Sequence, residues 1–238
     1  MRLSLRVYLL AVAAPASAVA ALLLRVPTSA HPDPVLAALL VALGAIAANF
    51  PVMVTRSYKA DATPAIELAI VVMFPPATAV ALVGLTRLIG ETALCVRRRR
   101  LPIDLIFNTS QLMLAAAGGA VVFQGVVANT GFAGGAGELV AAVTAAASMY
   151  VLNTTMVVIA VALNTHRRPI DVWAEAAGVD LKQTGSLYVA GYLLAITSAG
   201  HPWLALVMMA PLAALQLSIK RAVQMRDQTL AARGIVES

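Results

Sequence analysis

A chain of 238 residues that is 61% hydrophobic and only 12% charged departs far from a water-soluble domain, in which about 25% of residues are charged. A soluble fold of this length has no interior large enough to hide so much apolar side chain. The formal net charge of +6 does not point to nucleic acid either: the basic residues sit in short runs at the ends of apolar segments, where they anchor and orient membrane helices, and no basic stripe with interleaved aromatics occurs.

Taken in chain order, the first apolar segment covers 3–26 behind Arg2 and Arg6. Small residues around Ala16 and Ala18 give it the look of a signal peptide. Its apolar character nevertheless runs through Leu22, Leu23 and Leu24 to Val26, too long for a signal core, so an uncleaved first helix is expected. Further segments follow at 34–55, 62–74, 76–96, 102–127, 138–163, 185–199 and 202–219. A helix needs roughly 17–25 apolar residues to match the hydrocarbon thickness of a bilayer. Segment 62–74 falls short, so 62–96 reads either as two crossings or as one long tilted helix.

Charge parity favours two. Basic residues fall at Arg2 and Arg6, at Arg56 and Lys59, at Arg97–Arg100, at Arg167 and Arg168, and at Lys220, Arg221 and Arg226. The intervening connections, around His31–Asp33, Pro75–Pro76, Asn129–Gly137 and Gly200–Pro202, are almost free of lysine and arginine. The positive-inside rule places every basic cluster on the cytoplasmic side only if the chain turns at Pro75–Pro76. Two consecutive prolines remove two backbone donors and force their predecessors out of helix, so a break there has an independent cause. The expectation is an all-α polytopic transmembrane bundle of about eight segments with both termini inside. The short segments 62–74 and 185–199 would be tilted or sheltered by neighbours, since unsatisfied backbone does not face lipid. A seven-crossing bundle is the competing reading. The Ala-, Val- and Arg-rich, Lys-poor composition suggests a GC-rich bacterial genome, hence a bacterial cytoplasmic membrane.

Two stretches are expected outside the bilayer core. Residues 169–182 place Ile170, Trp173, Ala177 and Leu181 on one helical face and Asp171, Glu175 and Lys182 on another. That suits either a helix lying in the cytoplasmic interface or a loop helix packed on the protein. The transmembrane domain then spans 1–219. The tail 220–238 continues the last helix, with Ile219, Val223 and Leu230 near heptad spacing and Arg226 interrupting them. It offers a surface to a cytoplasmic output protein or to a second copy of the chain.

Polar residues inside apolar segments are costly in hydrocarbon and normally face the bundle interior. Of Asn49, Glu67, Arg87, Glu91, Asn108, Gln111, Tyr150, Asn153, Tyr188 and Tyr192, with Asp104, nearly all fall in the cytoplasmic half on this topology. The outer half is nearly bare apart from Gln124, Thr144 and a few hydroxyls. These groups are expected to form one polar layer. In it Arg87 pairs with Glu91 four residues on, and Glu67 offers a second carboxylate from the adjacent helix. Two readings stand side by side: an interhelical clamp holding short helices in register, or a site for an unidentified small-molecule ligand or an ion.

Catalytic patterns are missing. His31, His166 and His201 lie singly in loops, and no metal-ligand spacing, P-loop, nucleophile elbow or glycine-rich nucleotide loop occurs. Cys95 is the only cysteine, which rules out an intrachain disulfide and a cysteine-rich zinc site. A non-enzyme without cofactor or metal is expected.

The run Asp104-Leu-Ile-Phe-Asn-Thr-Ser-Gln111 follows a basic loop and a helix opened by Pro75-Pro76, and Tyr150-Val-Leu-Asn153 comes later. This pattern resembles the multi-pass membrane sensor domains found ahead of bacterial HD-GYP phosphodiesterase and GGDEF diguanylate cyclase domains. The resemblance covers about residues 35–230. It implies an all-helical input domain for cyclic-di-GMP signalling, with Asn108, Gln111 and Asn153 as conformational or ligand-contacting positions. In that family the last helix runs on into a catalytic domain. No HD, GYP or GGDEF sequence lies within these 238 residues, so either output passes to a partner or the chain is a free-standing or excised relative. The leading expectation is a membrane sensory or regulatory module. Its rivals are a small-molecule-binding membrane subunit or transporter, resembling the substrate-capture components of energy-coupling factor importers, and a purely structural assembly partner. Inward clustering of the polar groups leans against import.

Overall fold

The computed structural model describes residues 3–23, 33–53, 59–98, 102–130 and 135–236. Arg2, residues 24–26, His31, Arg56, Arg99 and Arg100, all used above, lie outside them. The described residues form eight helices: α1 (Leu3–Leu23), α2 (Pro34–Ala48), α3 (Thr63–Met73), α4 (Pro76–Arg98), α5 (Pro102–Thr130), α6 (Ala136–Thr165), α7 (Pro169–Ser198) and α8 (Leu204–Val236). Between α2 and α3 a two-residue strand pair, β1 (Val52–Met53) and β2 (Lys59–Ala60), runs antiparallel with Val52 opposite Ala60. Among the described residues the regular structure is otherwise all-helical.

Two helices, over Ile103–Asn129 and Ala136–Thr165, are long and apolar enough to cross a bilayer among the described residues. The apolar parts of α1, α2, α3 and α8 are shorter.

The chain does fold back at the double proline. Glu67 and Arg87 lie 20 residues apart, a separation of about 30 Å in one continuous helix, yet their side chains bond at 2.9 Å. Phe74 adopts an extended conformation (φ −118°, ψ 151°), as the residue before a proline is biased to do. The two-helix reading of 62–96 therefore holds as geometry.

Glycines record how the other helices align. A Cβ on Gly44 would strike Thr86, and one on Gly90 would lie 2.7 Å from the Ala48 Cβ. Moving up α2 by a turn thus moves up α4 by a turn, and the two run parallel. Gly118 faces Leu152 and Ser148 while Gly119 faces Met149 and Ala145, the opposite progression, which makes α5 and α6 antiparallel. The short α6–α7 and α4–α5 connections make those neighbours antiparallel as well. It follows that α3, α5 and α7 run one way and α2, α4 and α6 the other. One end of the bundle carries Arg98, Arg167 and Arg168, and is called the basic end below.

Helix α3 is the centre. Thr63 and every residue from Ala65 to Val71 are buried, packed into the main core with Leu40, Val80, Leu112, Met149, Leu187 and Leu212. Its small residues permit this: Gly191 of α7 sits directly on the backbone of Ala65, a separation that no side chain at 191 would allow. Helix α1 joins from outside through a second cluster of Leu5, Leu9, Val12 and Phe107, with the Tyr8 hydroxyl donating to the Met156 carbonyl at 2.9 Å.

Two expectations on boundaries are corrected. The segment expected to be helical over 34–55 stops at Ala48, because Phe50 precedes Pro51, which cannot donate to a helix; Asn49 caps it and the strand pair follows. The separate interfacial helix at 169–182 does not exist: α7 is one helix of 30 residues from Pro169 to Ser198, and 185–199 is its second half. No proline interrupts it, and Gly178 and Gly185 alone do not break a helix whose neighbours hold it. Val172 packs against Val158 and Ala162 of α6, whereas the anticipated apolar face is exposed at Ile170, Trp173 and Leu181.

Candidate functional site

The most polar feature of the interior is built on the first turn of α3. Asp61 precedes the helix and accepts from the Thr63 backbone N–H at 3.0 Å through Oδ1. That local turn is the one an Asp two residues before a helix favours. The Thr63 hydroxyl donates to the same Oδ1. One turn on, Glu67 points to α4, where Arg87 awaits it. The guanidinium spends all three nitrogens on this one segment: Nε donates to Glu67 Oε1 at 2.9 Å, Nη1 to Asp61 Oδ2 at 3.3 Å, and Nη2 to the Thr63 hydroxyl. A planar fork of fixed geometry is suited to gripping several acceptors at once. Arg87 and Glu67 are both buried, at 8% and 2% exposure. Glu91, also buried one turn further along α4, adds its charge to the electrostatic environment of Arg87.

Asn49 belongs to the same neighbourhood. Its Nδ2 donates to the Ala45 carbonyl at 2.8 Å and to the Gly90 carbonyl at 3.4 Å, tying the end of α2 to α4 beside Glu91. Asn49, Glu67, Arg87 and Glu91 are thus brought together at the meeting of α2, α3 and α4. The guanidinium bonds across to α3, where the anticipated second carboxylate Glu67 is joined by Asp61 and Thr63.

The remaining anticipated residues stand on α5, α6 and α7. Asn108 is half-buried on α5 and Gln111 is buried one turn along. Tyr150 and Asn153 are half-buried on α6. Tyr188 and Tyr192 are partly buried on α7 and pack against the main core. Sequence reasoning missed Asp61, Thr63, Gln183 and Thr184, the last three of which are buried. The signal for the first two was present: Asp61-Ala-Thr-Pro64 followed by Glu67 is a helix-start pattern. Among the described residues no group of three or more His, Cys, Asp and Glu is arranged to hold a metal ion.

A second chain of contacts starts from the same point. Asp61 follows directly on β2, whose partner β1 adjoins Phe50, and the Phe50 carbonyl accepts from Gln216 Nε2 of α8 at 3.2 Å. Helix α8 then continues to Val236. The charged cluster at the centre is therefore joined through a short strand pair to the C-terminal helix. Comparison of the chain with protein-family models, with curated proteins and with solved structures yields no match.

Proposed function

We propose that the protein is a multi-pass module of the bacterial cytoplasmic membrane with a sensory or regulatory role and no chemistry of its own, crossing about eight times with both termini and the basic end in the cytoplasm. The membrane part is supported by the distribution of polarity. Large apolar side chains are exposed along most helices, among them Leu10, Ile46, Leu88, Val121, Val143, Val151, Val189 and Leu206, while carboxylates and a guanidinium are inside. That is the arrangement a bilayer selects.

The observation that carries the regulatory reading is the continuous connection from Arg87 through Asp61, the strand pair and Gln216 to α8. A short central helix held by charge at one end is an element that can shift along its neighbours, and α8 would report the shift beyond the bundle. Coupling of this kind requires an element with two arrangements, and α3 is the candidate. The resemblance to input domains of cyclic-di-GMP signalling agrees with an output through 220–238 to a partner protein or a second copy.

Two measurements test it. Single cysteines at His166 and Asn129, in a Cys95→Ala background, should react with an impermeant thiol reagent from the cytoplasmic and outer face respectively; the reverse, or reaction of both from one face, ends the eight-pass topology. A spin label at Met225→Cys should change its mobility when Glu67→Gln is introduced into protein that remains folded. An unchanged spectrum ends the coupling between cluster and tail.

A further inference from the structure

We draw no further inference here: the strongest candidate, the charged cluster of Asp61, Glu67 and Arg87 at the start of α3, belongs to the site already described.

Discussion

Removing the Arg87 side chain while keeping its bulk, as in Arg87→Met, isolates the worth of the charged cluster. The side chains of Glu67 and Asp61 are 3% and 17% exposed, so neither recovers its lost partner from water. Breaking a buried pair from one side typically costs about 3–5 kcal/mol, because an uncompensated charge stays behind. That range corresponds to between two and four powers of ten in the unfolding equilibrium, at about 1.4 kcal/mol for each. Removing both partners differs in kind. Glu67→Met with Arg87→Met leaves Asp61 its two bonds from Thr63 and removes the buried Glu67 carboxylate that the single variant leaves unpaired. The double variant should therefore be more stable than Arg87→Met alone by about 2 kcal/mol or more. The measurement is reversible unfolding in mixed micelles, followed by helical circular dichroism across a denaturing-detergent titration. A cost below about 1 kcal/mol for Arg87→Met, the level of an exposed ion pair, would refute the reasoning. So would a double variant whose loss equals the sum of the single losses.

Other expectations follow from packing. Gly191→Ala must push α7 off the Ala65 backbone and should cost about 1–3 kcal/mol or more, whereas Gly125→Ala, with nothing within 4 Å of the new methyl, should be neutral or stabilising by up to about 1 kcal/mol; thermal unfolding of the purified pair decides, and equal effects would contradict the α3–α7 contact. Tyr8→Phe loses the bond to Met156 and should cost about 0.5–1.5 kcal/mol, read as faster proteolysis within α1. Asp33→Ala removes the side chain that accepts from the Val35 and Leu36 amides at 2.8 and 3.2 Å, and should lower stability by about 0.5–2 kcal/mol, with amide exchange rising first at the start of α2.

The sequence by itself determined the class of secondary structure. Long apolar runs favour helix and the double proline must break one, so helices were legible over most of the chain, although 169–182 and 185–199 were divided and α2 was drawn to 55. It also marked Glu67, Arg87, Glu91 and Asn49 as misfits in apolar surroundings, since a charge in such a segment needs a partner. It could not say which partner. Arg87 and Glu91 share a helix face, and one-dimensional spacing favours that pairing, while Asp61 and Thr63 looked like ordinary residues of a loop. Only the return of the chain at Pro75 brings α3 back along α4 and points the guanidinium at Asp61, Thr63 and Glu67. The continuity of α7 was likewise hidden, because a change from amphipathic to apolar pattern reads as a boundary until Val172 is seen held against α6. Tertiary structure decided these matters for one reason: hydrogen bonds and ion pairs between helices depend on how far each helix is slid along its neighbour, and small residues such as Gly44, Gly90 and Gly191 set that slide through contacts far apart in the chain.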